Sequence, residues 1–173
     1  MVDAWHTWAL AALDGSRSAM GEAWLPAWLE APVWRFVLPP GMCGPHTVLG
    51  LWMPSVDRVG RYFPFMIATS YSFADPVMLA SGSVPWLEAA EEVGRNAIAD
   101  DVNPGDIVAR LPPPPEPTRA PAFGFVAEAE VGTWWTEGSP RVPTQTVALD
   151  TMPDVNKFVT MLDAVGSAPE EAR

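Results

Sequence analysis

Val33-Trp34-Arg35-Phe36-Val37-Leu38, then Thr47-Val48-Leu49-Gly50-Leu51-Trp52-Met53, then Phe63-Pro64-Phe65-Met66-Ile67-Ala68-Thr69-Ser70-Tyr71-Ser72-Phe73 are three apolar runs that decide the fold. They are rich in Val, Trp, Phe, Ile and Tyr, which suit a pleated, half-buried surface, so each is read as a β-strand. Pro39-Pro40-Gly41 stops the first. Pro54-Ser55-Val56-Asp57-Arg58-Val59-Gly60-Arg61 joins the second to the third, which predicts a hairpin-like antiparallel pair.

Upstream the periodicity changes from strand to helix. Trp5, Trp8, Ala9 and Ala12 recur at spacings of three and four, which predicts a helix from Asp3 with a stop at Gly15. A second helix is expected from Ser16 or Ser18 through Met20, Trp24 and Leu25, ended or kinked by Pro26, with Trp28 and Leu29 packing inward.

Downstream, Ser83 and Pro85 open the clearest helix, with Glu88, Glu91 and Glu92 near its start and Trp86, Ala90, Val93 and Ala97 as its apolar stripe. Asn103-Pro104 predicts a short helix through Ile107 and Leu111. Residues 112–121 contain six prolines and read as a stiff connector within the domain. Phe123 to Val126 reads as a strand. Thr133-Trp134-Trp135-Thr136 and Thr144 to Leu149 read as a hairpin around Gly138-Ser139-Pro140. Asp154 caps a last helix through Phe158 and Leu162. Residues 164–173 have little to bury and are expected to fray. Together these elements predict one α+β domain over residues 1–163, a mainly antiparallel sheet flanked by helices, and a flexible tail at 164–173.

Composition excludes several functions. The 173 residues suit a single domain that needs no disulfide or metal staple. Ten Lys and Arg against 21 Asp and Glu give a net charge of −11, which argues against nucleic acid and against an anionic membrane surface. There is no signal-like start and no apolar run long enough to cross a bilayer, so the cytoplasm is the expected compartment. A lone Cys43 and two histidines, His6 and His46, leave little for a metal site, and no metal or cofactor is expected. The charge is uneven: five acids and four bases lie before residue 74, sixteen and six after it, while six of the nine Trp precede residue 53. The first half therefore reads as core and the second as an acidic surface that favours basic partners.

Several constellations could carry chemistry. In the 54–61 loop, Asp57 suits an Asx-type turn and Gly60 a positive φ. Arg58 or Arg61 would then grip a carboxylate or phosphate, or Asp57 would pair with an arginine and merely fix the hairpin; local sequence leaves both readings open. A small-anion sensor built on Arg58 and Arg61 follows from the first of them. A hydrolase would use Ser55 as nucleophile, His46 as base and Asp57 as orienting acid, although no Gly-x-Ser-x-Gly elbow surrounds Ser55. Cys43 with His46 is the thiol version of the same idea. The acidic helix from Glu88 to Asp101 lacks calcium-loop spacing and reads as a solvated face. In the Trp134–Trp135 doublet one ring points inward; the other is either a partner anchor or lies under the proline connector.

Pro32-Val33-Trp34-Arg35-Phe36 followed by Pro54-Ser55-Val56-Asp57-Arg58-Val59-Gly60-Arg61-Tyr62-Phe63-Pro64 resembles the TagF (ImpM) family of type VI secretion-associated proteins. The family's run is Pro-Ser-x-Asp-x-x-Gly-Arg-x-Phe-Pro after a Trp-Arg-Phe strand. Residues 5–10 and 17–24 are similar to its Trp-rich helices, and Thr133 to Gly138 to its Trp-Trp hairpin, so the resemblance spans roughly residues 3–162. Two features depart from the pattern. Relatives usually begin with a short strand and turn ahead of the first helix, where this chain starts, so one sheet edge is expected to be open. Before the last helix, Asp150-Thr151-Met152-Pro153 keeps only the proline of the family's Gly-Leu-Pro.

The resemblance implies a non-enzymatic cytoplasmic regulator that restrains type VI secretion after translation by binding a component of the apparatus, the forkhead-associated scaffold protein. It implies no catalytic residues. It marks Trp34, Arg35, Phe36, Pro54, Phe63 and Pro64 as structural motif positions. Ser55, Asp57, Arg58, Gly60, Arg61, Trp134 and Trp135 are the candidate positions for partner binding or for the motif itself, and the resemblance leaves open whether the 54–61 loop serves folding or binding.

Overall fold

Apolar runs buried on both faces need cover on both sides, and the chain supplies it from its two ends on one face and from its middle on the other. The computed structural model describes residues 1–72, 74, 76–100, 102–117 and 131–166. Strands β1 (Trp34–Leu38), β2 (Thr47–Val56), β3 (Tyr62–Tyr71), β4 (Gly132–Thr136) and β5 (Gln145–Leu149) form one sheet in the order β3-β2-β1-β4-β5. All four pairings are antiparallel. The predicted α+β class and both predicted hairpins are therefore present. The expected strand at 123–126 lies outside the described residues, as do 118–121 of the connector and 167–173 of the tail.

Strands β3 and β5 are half-buried as the composition suggested, but the centre of the sheet is not. Every residue of β1 is buried, as are the first seven of β2. Trp34, Phe36, Leu38, Val48, Trp52 and Trp134 face one core, which is closed by helices α1 (Val2–Met20), α2 (Trp24–Leu29) and α6 (Val155–Leu162). Val37, Leu49, Leu51, Met53 and Ile67 face a second core, closed by α3 (Pro76–Gly82), α4 (Val84–Asp100) and α5 (Pro104–Arg110). Strands covered on both faces become continuous apolar runs, and that is why alternation is weak in the sequence. The first core is largely aromatic. Trp24 stacks on Trp28 at 5.2 Å, Trp52 on Phe158 at 5.5 Å, and Phe36 lies 4.9 Å from Trp134.

Two helix boundaries differ from expectation. Gly15 does not stop the first helix, because α1 continues through it to Met20. A Cβ at Gly15 would lie 2.4 Å from Val155 of α6, so glycine here permits close helix packing. Ser16 and Ser18 do not cap a new helix; their hydroxyls donate back to the Leu13 and Asp14 carbonyls at 3.1 and 3.0 Å. Pro26 does not end a helix either. It sits in the first turn of α2, where its missing N–H has no intrahelical partner to lose. The predicted Asp154 cap is present, its carboxylate accepting from the Lys157 N–H at 2.7 Å. The described part of the proline connector is tied to the second face: Trp86 Nε1 donates to the Pro112 carbonyl at 3.2 Å, and the Tyr71 hydroxyl to that of Pro115 at 2.9 Å.

Candidate functional site

β2 and β3 pair without a break from Thr47↔Tyr71 to Val56↔Tyr62, so the connection shrinks to five residues, Asp57 to Arg61. Asp57 builds this turn. Its Oδ1 accepts from the Val59 and Arg61 N–H groups at 3.0 and 2.8 Å, and its Oδ2 accepts from Arg61 Nε at 2.6 Å. Its own N–H donates to the Arg61 carbonyl, and Gly60 N–H donates back to the Asp57 carbonyl, each at 2.9 Å. Gly60 has φ +79°, a conformation that glycine adopts without a Cβ penalty. The Arg61 backbone N–H, followed by its guanidinium, holds the Asp57 carboxyl below its ordinary range. Ser55 Oγ donates to the Phe63 carbonyl at 2.6 Å and ties the strands together just below the turn.

This hairpin forms one wall of an open groove of about 1050 Å³. Asp57, Gly60, Arg61, Tyr62 and Phe63 face His6, Leu10 and Arg17 of α1, with Glu22, Trp24 and Leu25 beyond them. Tyr62 meets Trp24 edge-on at 5.3 Å, and Phe63 stacks under His6 at 5.7 Å. The Arg17 guanidinium lies 4.3 Å from the Trp24 ring centroid and 5.3 Å from that of Tyr62, a cation–π arrangement. Arg58 is exposed on the turn but does not line the groove. Arg58 and Arg61 therefore do not close on one anion inside it. The groove's α1 and α2 residues were not singled out as a site in the sequence, since only folding brings residues 6–25 against residues 57–63.

A second polar cluster lies on the opposite face. Arg35 points away from its neighbours Trp34 and Phe36. Its Nη2 donates to Glu91 at 2.9 Å and its Nη1 to Glu137. Arg95 also engages Glu91, at 2.8 Å. Burial pushes the Arg35 guanidinium down, but Glu137 and Glu91 more than offset it. In return Arg35 holds the Glu137 carboxyl below its ordinary range. These side chains line a shallow pocket of about 340 Å³ with Glu88, Glu92 and Asn96. Among the described residues no three His, Cys, Asp or Glu side chains converge as metal ligands.

Three candidate assignments change. His46 and Ser55 flank or end the same extended strand, about nine residues and roughly 30 Å apart, so they cannot act as base and nucleophile. Cys43 is buried, and burial pushes its thiol up, against nucleophilic use. Trp134 is fully buried in the aromatic core, so the folded chain does not offer it to a partner. Trp135 lies on the other face, partly buried against the second core. Among the described residues no helix is long and apolar enough to cross a membrane.

Residues 1–112 match the family model of the TagF N-terminal domain, described as type VI secretion system-associated. The chain belongs to the TagF family. That match includes β1, the Asp57 hairpin and the groove helices. No curated protein matches the chain. Its fold is similar to the crystal structure of PA0076 from Pseudomonas aeruginosa PAO1, with a TM-score of 0.81 and 28% sequence identity. The similarity covers 99% of this chain and 88% of that one. For this TagF-family chain, the Pro-Ser-x-Asp-x-x-Gly-Arg-x-Phe-Pro signature is thus a set of parts for one hairpin. Asp57, Gly60 and Arg61 shape its tip, Ser55 fastens its base, and Tyr62 and Phe63 seat it against α1 and α2.

Proposed function

We propose that this chain is a cytoplasmic, non-enzymatic regulator that restrains type VI secretion by occupying a surface of the forkhead-associated scaffold protein of the apparatus. Membership of the type VI secretion-associated TagF family supports the system, and the groove beside the Asp57 hairpin supports the contact surface. One observation carries the assignment of that surface: the family signature is spent on building a rigid wall of an exposed groove instead of being buried in the core. A prepositioned loop of this kind binds without an ordering penalty. Trp135, half-buried against the second core, takes no part in this contact.

The test is co-purification of the chain with the scaffold protein. Arg17→Ala and Arg61→Ala are expected to reduce retention at least about tenfold if each removes one charge-assisted contact. Arg58→Ala, outside the groove, is expected to retain it. Full retention by both groove variants, with their circular dichroism unchanged, would remove the groove from the interface. Failure of the unaltered chain to retain the scaffold would remove the scaffold as the partner.

A further inference from the structure

The groove has a charge character unlike the rest of the molecule. The chain carries a net charge of −11, and a pocket on the opposite face is lined by Glu88, Glu91, Glu92 and Glu137 with Arg35 and Arg95, both of which are engaged by those carboxylates. The groove instead presents Arg17 and Arg61, with Asp57 and Glu22 as its carboxylates. Asp57 is consumed, its two oxygens accepting three bonds from within the turn.

Arg61 spends its Nε on Asp57, while its side chain is 81% exposed and lines the groove. Arg17 has no carboxylate partner among the described residues. Its guanidinium instead lies by its face against Trp24 and Tyr62. A guanidinium stacked in this way keeps its fork of N–H donors at the edge, fixed in orientation and ready for a planar acceptor. The same lining carries exposed apolar side chains: Leu10 is 50% and Leu25 40% exposed. At about 1050 Å³ the open groove has room for several residues of a polypeptide.

We propose that this groove takes an acidic amphipathic segment of a partner protein, with a carboxylate held by Arg17 and Arg61 and apolar side chains laid against Leu10 and Leu25. The inference deepens the binding role proposed above and rests on it. Charge complementarity decides the occupant. A basic segment would meet Arg17 and Arg61 here and find Glu88 and Glu92 on the far face, whereas an acidic one is repelled there and matched here. Leu10 and Leu25 add the apolar area that a purely electrostatic contact lacks.

The test uses the full chain, isotopically labelled for NMR, and three short synthetic peptides of one helical Leu pattern, with Glu, Gln or Lys at the polar positions. The Glu peptide is expected to shift the amide signals of Leu10, Arg17, Leu25 and Arg61 and the indole signal of Trp24. Arg17→Gln is expected to weaken it about tenfold, in line with loss of one charge-assisted hydrogen bond. Arg17→Lys, which keeps the charge and loses the fork, should fall between, and it serves as the test should the Gln variant disturb the Trp24 stack. The proposal is overturned if the Gln peptide binds as tightly as the Glu peptide, if the Lys peptide prefers the groove, or if the Glu peptide leaves these signals unmoved. Scaffold retention with an unmoved groove defeats the acidic-segment inference alone. A groove that binds the Glu peptide in a chain that ignores the scaffold defeats only the scaffold assignment.

Discussion

Two arginine–carboxylate clusters lie on the two sides of the sheet, and they are built in opposite ways. At the hairpin, Asp57 and Arg61 are four residues apart, and their side chains are 37% and 81% exposed. On the other side, Arg35 is 10% exposed and reaches Glu91 and Glu137, which lie 56 and 102 positions further along the chain. The first cluster is a local device that shapes a loop, and solvent screens its charges. The second is a clamp: one side chain in the central strand holds both α4 and the connection after β4. Proximity in sequence thus marks the pair that presents a surface, and distance in sequence marks the pair that holds the fold.

The comparison breaks most visibly at Arg35. Arg35→Ala removes the shared partner of Glu91 and Glu137, leaves Glu91 with Arg95 alone, and is expected to lower unfolding free energy by about 2 kcal/mol in a denaturant titration. Arg35→Met, which fills much of the same space without a charge, should recover only the part of that loss due to packing, since both carboxylates remain without the guanidinium. Equal losses in both variants would show the clamp to act through charge pairing alone and not through filled space.

Gly60→Ala is expected to come next. A Cβ there has nothing within 4 Å, so the penalty is purely that of holding a side chain at φ +79°, about 1 kcal/mol. Thermal melting measures it. A loss as large as that of Arg35→Ala would make the hairpin part of the fold's main stabilisation and erase the contrast.

Acid sharpens the contrast with the smallest effect. The Asp57 and Glu137 carboxyls are both held below their ordinary range in the folded chain. Their contribution is therefore complete above the unfolded carboxylate range of roughly pH 4 and is lost as pH falls through the lowered folded values. Asp57→Asn is expected to free the Val59 and Arg61 amides to exchange while sheet amides stay protected. Glu137→Gln should instead reduce the acid dependence of global unfolding. Amide exchange and denaturation measured from pH 7 down to about 3 separate the two.

Strands β1, β2 and β3 were legible because runs of branched and aromatic side chains suit a sheet, and the helix at Val84 because Ser83 and Pro85 mark its start. Where the reading failed, a residue's local preference was overridden by the structure around it. Gly15 looks like a helix stop until Val155 of α6 is seen against it, and Pro26 looks like a breaker until the new helix is seen to begin at Trp24. The exposure of Trp134 and Trp135 could not be assigned because strand alternation says that adjacent rings diverge, but not that helices cover both faces.

The same division runs through the site. The turn at Asp57 was contained in the sequence, since a carboxylate bonding two and four residues ahead and a glycine at positive φ are local events. The groove was not. Arg17 becomes a poised donor only because Trp24 lies beneath it and Tyr62 closes beside it, and the latter arrives from a strand 45 positions further along the chain. Hydrogen bonds within a turn are set by covalent geometry over a few residues, whereas a groove is set by how two packed layers meet, and that is decided only when the core between them closes.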